Sequence, residues 1–143
     1  MILYLDTSAL VKAYVNENSS ADVLDLMKKA KVVASHYIAF VEAHSAFSRI
    51  KREEKIKVEI YEVIRNSFNK DWENYLRIDS NQPLMQRAAD FSEAFALRAY
   101  DSVHLAAADF LFKQTRDEVM FFCFDHQLNK AAHVLGLSVV NTF

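Results

Sequence analysis

Val119-Met120-Phe121-Phe122-Cys123-Phe124, followed at once by Asp125, is the stretch whose reading decides the fold. An unbroken apolar run this short, ended by a residue that favours helix N-caps, reads as a buried strand leading into a helix, and Gly136 ends that helix. The N-terminus repeats the construction, with Ile2-Leu3-Tyr4-Leu5 as a buried strand and Asp6-Thr7-Ser8 as its stop. Val32-Val33-Ala34, Tyr75-Leu76-Arg77-Ile78 and Leu137-Ser138-Val139-Val140 read as further short strands. Helical pattern fills the intervals: from Ser8 to about Val15, Ser19 to Ala30, Tyr37 to about Glu54, Ile56 to about Asn69, Pro83 to about Leu97, and Asp101 to about Lys113. Short apolar strands alternating with helices predict an α/β fold. Its core would be a central parallel sheet of about four to five short strands flanked by helices on both faces, in a single domain over residues 1–143.

Composition narrows the function. The 143 residues are 52% hydrophobic and 25% charged, enough apolar character for a buried core. Gly136 and Pro83 are the only glycine and proline. A Walker A loop, a dinucleotide-binding glycine turn, a G-x-S-x-G elbow and an EF-hand loop all need glycines that are missing here. Any phosphate chemistry must use side chains, helix ends or metal ions. A single cysteine, Cys123, excludes intrachain disulfides and cysteine-rich zinc sites and suits a reducing compartment. Seventeen basic against nineteen acidic residues give a net charge of −2, without the global basic field of a tight DNA binder. The apolar opening meets Asp6 too soon for a signal-peptide core, and no run approaches the roughly 18 residues of a membrane span. The expectation is a soluble cytoplasmic protein that uses no membrane.

Four acids stand out by context. Asp6 follows a wholly apolar strand; Glu42 is the only charge in Tyr37-Ile38-Ala39-Phe40-Val41-Glu42-Ala43. Asp101 begins Asp101-Ser102-Val103-His104-Leu105-Ala106, and Asp125 precedes a helix. Taken singly, each aspartate reads as an N-cap and Glu42 as a paired buried charge. Jointly, three carboxylates at helix starts should gather at the carboxyl end of the sheet, where such folds place their ligands. Crowded anions need a counter-cation, and hard oxygen ligands suit Mg2+ or Mn2+ better than zinc. Carboxylate-held divalent ions are a recurring apparatus for cleaving phosphodiesters.

Leu3-Tyr4-Leu5-Asp6-Thr7-Ser8-Ala9-Leu10-Val11-Lys12 resembles the N-terminal signature of PIN-domain ribonucleases, specifically the VapC-type toxins of toxin–antitoxin pairs. Val41-Glu42 lies where that family carries its second acid, and Leu97-Arg98-Ala99-Tyr100-Asp101-Ser102-Val103-His104-Leu105-Ala106 resembles its central motif. Phe124-Asp125-His126-Gln127-Leu128, with Ala131-Ala132 and Gly136-Leu137, resembles the C-terminal one, so the likeness spans about residues 2–140. The resemblance implies an Mg2+- or Mn2+-dependent endoribonuclease acting on RNA, checked by a cognate antitoxin and forming a homodimer. Asp6, Glu42, Asp101 and Asp125 would be its catalytic and metal-binding acids, with Ser8 and Arg98 in support. One position departs from the pattern: Cys123 stands where such toxins often carry Thr or Ser, and a thiol is the poorer hydrogen-bonding group.

The remaining residues read as follows. The five histidines (His36, His44, His104, His126 and His133) show no spacing for a two-histidine ribonuclease, and His104 reads as a core residue. Lys12 is a weaker phosphate contact, and Arg49, Lys51, Arg52, Glu53, Glu54, Lys55 and Lys57 form a mixed, solvated helix end. Phe40, Phe47, Phe91 and Phe95 sit at helical spacings that serve a core, and any surplus aromatic surface would take a partner. The rival readings are a non-catalytic PIN-fold binding module and another Mg2+-dependent phosphate enzyme. A haloacid-dehalogenase-type phosphatase wants a second acid at Ser8, and a phosphate receiver wants an acidic pair near the first strand and a late lysine.

Overall fold

The computed structural model describes residues 1–54 and 56–140; Lys55 of the charged helix end, like the last three residues, lies outside them. β1 (Ile2–Leu5) takes the centre of a five-stranded sheet of order β3-β2-β1-β4-β5. All four pairings are parallel, with β2 (Val32–His36) and β4 (Val119–Phe122) beside β1, and β3 (Leu76–Ile78) and β5 (Ser138–Val139) at the edges. The chain lays β1, β2 and β3 outward in one direction, then returns to place β4 on the other side of β1. The carboxyl ends of β1 and β4 therefore face one crevice, the usual ligand position in such sheets.

Alternation along β1 divides the core. Ile2 and Tyr4 face α5 (Gln82–Phe95), α6 (Ala99–Gln114) and α7 (His126–Val134), and pack with Phe91, Leu105, Phe121 and Leu128. Leu3 and Leu5 face α1 (Thr7–Lys12), α2 (Ser20–Lys29), α3 (Ile38–Glu54) and α4 (Val58–Trp72), and pack with Leu10, Val23, Phe47 and Phe68. The expected parallel sheet with helices on both faces is what forms. Among the described residues, no helix is long and apolar enough to cross a membrane.

Three local expectations shift. Asp101 was expected to open its helix, but α6 starts at Ala99, and Asp101 lies in its first turn, where it still meets the favourable end of the helix dipole. Asp125 was expected to end β4, yet the strand stops at Phe122, opposite Leu5, where β1 also ends and pairing runs out. Phe40 is 36% exposed, stacked against Phe68 at the rim of the second core cluster, whereas Phe47 and Phe91 are buried and Phe95 is half-buried.

Gly136 terminates α7 as the sequence predicts, at φ +92, with its N–H donated to the His133 carbonyl at 3.0 Å. An added Cβ would meet only the Phe112 ring, at 3.5 Å, an ordinary contact. The cost of Gly136→Ala is thus purely one of backbone conformation, about 1–2 kcal/mol. Urea denaturation should show that loss with an unchanged m-value.

Candidate functional site

Asp6 is placed by β1. Its backbone N–H donates to the Phe122 carbonyl at 3.2 Å, which fixes the carboxylate beside the end of β4. Asp6 caps α1: Oδ1 accepts the Ala9 amide at 2.9 Å and the Ser8 hydroxyl at 2.7 Å. Ser8 thus orders the first acid, as expected. The residue is only 5% exposed, and burial pushes its pKa up to about 6 from an ordinary 3.8. His104, the Ala9 amide and the Ser8 hydroxyl pull it back, while the charge of Asp101 adds to the rise.

Glu42 sits one turn into α3. Its Oε1 accepts the Thr7 hydroxyl at 2.7 Å and lies 3.2 Å from His104 Nε2. Burial raises the Glu42 pKa, but the hydrogen bonds of His104 and Thr7 and the fields of His104 and His36 outweigh it, and the net shift is downward. Glu42 is therefore held ionised.

The other two acids share one cation. Arg98, the residue before α6, places Nε 3.4 Å from Asp101 Oδ2 and Nη2 3.9 Å from Asp125 Oδ2. Its side chain is 83% exposed, so the pairing is open to solvent and weak. Asp125 also caps α7, with Oδ1 accepting the Leu128 amide at 2.8 Å. At the departing position, the Cys123 thiol turns to the Asp125 backbone carbonyl at 3.5 Å, not to a carboxylate. Burial drives the Cys123 pKa strongly upward, and the fields of Asp6, Asp125 and Asp101 reinforce it, so the thiol stays protonated and inert.

Of the four predicted acids, Asp101 and Asp125 share Arg98, while Asp6 and Glu42 each keep partners of their own. Among the described residues, no three His, Cys, Asp or Glu side chains close into a group that would hold a metal ion. The donor chemistry nonetheless fits a hard divalent cation: all four donors are carboxylates, and Asp6 is buried with its ionised form disfavoured. A groove of about 850 Å³ starts at Thr7, Ser8 and Glu42 and follows α3 past Arg49 to Glu54. Lys12 lines it too, paired with Glu17 at 3.2 Å and lying over the Phe124 ring.

Sequence reasoning missed two participants. Thr7 read only as a helix-start residue, and His104 only as core. His104 is indeed 2% exposed, but it is bonded to Tyr4, Thr7 and Glu42. The spacing of Asp101 and His104 carried no signal of this, because the partners come from β1, α1 and α3. His36 is committed to the Ile38 amide and Ser80, and His44 to Asn69.

The raised pKa of Asp6 has a definite sign. A folded value above the unfolded one means that folding takes up a proton, so this stability is present below 3.8 and lost as pH rises through about 6. The shift corresponds to about 3 kcal/mol. Asp6→Asn should therefore gain stability over the natural chain as pH climbs from about 4 to about 6 and level off above that, read as a growing difference in melting temperature without added metal. Taking the difference removes His36, whose lowered pKa acts in the opposite sense.

No family model matches the chain. It is 25% identical over 142 residues to the ribonucleases VapC45 and VapC49 of Mycobacterium tuberculosis, covering 96% of this chain and 94% of each relative. Among solved structures, FitAcB from Neisseria gonorrhoeae matches with a TM-score of 0.66 at 14% identity, covering 99% of this chain and 97% of that one. VapBC2 from Rickettsia felis, bound to a DNA fragment from its promoter, matches with a TM-score of 0.64 at 14% identity over 98% of both chains. At such identities the structural likeness speaks for the fold. Motifs, length and fold agree, and over nearly its whole length the chain is similar to the VapC-type PIN-domain proteins.

Proposed function

We propose that this protein is a ribonuclease, the toxin of a toxin–antitoxin pair, and that it hydrolyses RNA with Mg2+ or Mn2+. The observation that supports this reading is that Asp6 is held beside the end of β4, Asp101 and Asp125 share Arg98, and Glu42 lines a groove. The ribonuclease names of the sequence relatives point the same way. Asp6, Asp101 and Asp125 would hold the ion with Glu42. A divalent ion so held supplies Lewis-acid stabilisation of the phosphate and lowers the pKa of water. The chain's own groups do the rest. Ser8 and Ala9 fix Asp6 through Oδ1, and the capping bond of Asp125 fixes its loop. Glu42, ionised, presents a negative oxygen at the groove mouth. Arg98 balances Asp101 and Asp125, and its exposed guanidinium can turn to the scissile phosphate.

In-line attack by water leaves a 5′-phosphate, whereas a two-histidine mechanism leaves a 2′,3′-cyclic phosphate and needs no metal. RNA cleavage by the purified chain should stop in EDTA, return with Mn2+, and yield 5′-phosphate ends. Asp101→Asn should lower kcat on the order of 10²–10³-fold, the equivalent of several kcal/mol of lost charge stabilisation. A chain that binds its partner yet cuts nothing with Mn2+ present would instead be a non-catalytic PIN-fold module.

Two partners complete the reading. The similar solved structures include a VapBC complex and FitAB bound to DNA, which supports a protein antitoxin here. The groove is lined by Glu17, Glu42, Glu53 and Glu54 against Lys12 and Arg49, so it suits a basic segment, with arginine able to engage two carboxylates at once. A second copy is the other partner, and the cytoplasm the compartment. Coexpressed with the small reading frame beside its gene, the chain should co-purify with that product. Replacing the product's groove-binding arginine with alanine should relieve inhibition while leaving the complex intact.

A further inference from the structure

Tyr4 is fully buried, its ring stacked on Phe121 at 5.5 Å between centroids and set edge-on to the His104 imidazole. Its hydroxyl lies 2.8 Å from His104 Nδ1. The other ring nitrogen, Nε2, lies 3.1 Å from Thr7 Oγ1 and 3.2 Å from Glu42 Oε1. Thr7 Oγ1 in turn donates to the same Glu42 oxygen at 2.7 Å.

With the His104 imidazole neutral, the protons of this chain have one consistent assignment. An ionised carboxylate only accepts, so the nitrogen facing it must carry a hydrogen. The Thr7 proton is spent on Glu42, which leaves Thr7 Oγ1 to share the Nε2–H. Nδ1 is then the acceptor, and the Tyr4 hydroxyl fills it. One strand and three helices, brought together only by the fold, thus fix one oxygen of one carboxylate.

We infer that His104, with its tautomer set by the Tyr4 hydroxyl, is a positioning residue that anchors Glu42 through Oε1 and leaves Oε2 as the oxygen presented to a divalent cation. The inference rests on the metal-dependent reading of the site and deepens it. His104 touches neither ion nor substrate in this role. Outer partners of ligating groups typically change metal affinity by about 10–100-fold when removed. The rigidity of the arrangement comes from burial: Tyr4 and His104 are both packed in the core, so neither ring can swing away.

The test measures Mn2+ binding by calorimetry on the full chain without RNA, beside ¹⁵N–¹H correlation spectra of the histidine rings. In the natural chain, His104 Nε2 should carry a proton; an Nε2 without one overturns the inference. His104→Leu should weaken Mn2+ binding by about 10–100-fold, and His104→Gln, which keeps an N–H donor of similar reach, should restore most of it. Tyr4→Phe deletes a single oxygen and keeps the ring stack, so it serves even where His104→Leu fails to fold. It should weaken binding by about 10-fold and shift His104 toward a mixture of tautomers. A structural role alone would lower the melting temperature in all three variants without rescue by Gln. Equal Mn2+ affinity in Tyr4→Phe, His104→Leu and the natural chain overturns the positioning role. Asp6→Asn separates the two levels of the argument. If it abolishes Mn2+ binding while the His104 and Tyr4 variants keep it, the positioning role alone fails; if it too binds normally, the metal reading of the site fails.

Discussion

The burial of the Asp6 carboxylate at the end of β1 is the constraint on which the site depends. All four residues of β1 are buried, because the strand has neighbours on both edges and helices on both faces. The next residue keeps only 5% of its surface exposed, and its carboxylate is largely desolvated. Capping of α1 and the Ser8 hydroxyl recover part of that loss, but both bonds fall on Oδ1. The raised pKa records what remains uncompensated. A fold that wanted only a helix cap at this position would be better served by serine or by asparagine, which carry no charge to desolvate.

The remaining acids are balanced by different means, and the difference is informative. Glu42 is satisfied from inside, by Thr7 and the buried His104. Asp101 and Asp125 are satisfied from outside, by an arginine on the surface. An internal partner fixes geometry, whereas an exposed one supplies charge that can be exchanged for another at small cost. The site therefore has a rigid side built on β1, α1 and α3 and an adaptable side built on the starts of α6 and α7.

Legibility in the sequence followed the range of the interaction. The strands, the N-caps at Asp6 and Asp125 and the stop at Gly136 were readable because each depends on residues within one turn. The sheet and its crevice followed from the alternation of elements. The bonds of His104 were not readable: its partners Tyr4, Thr7 and Glu42 lie 100, 97 and 62 positions away, and no local pattern encodes them. Phe40 shows the converse limit. Its spacing is that of a core residue, but the core behind it is already filled by Phe47, Phe68 and Trp72, and its ring stays at the rim.

Electrostatics tie the groove to this division. An RNA strand approaching Thr7 and Glu42 meets a wall carrying Glu17, Glu53 and Glu54, with Lys12 already paired and Arg49 the other cation of the lining. Such a surface opposes polyanion binding, and the chain as a whole is negative too. Under the proposed function, affinity for RNA would come from positive charge brought to the acids, and a divalent ion would supply it in the most compact form. The same field attracts any cationic side chain that reaches the groove. Under that reading, a basic peptide and a metal-bound phosphate would compete for one set of carboxylates.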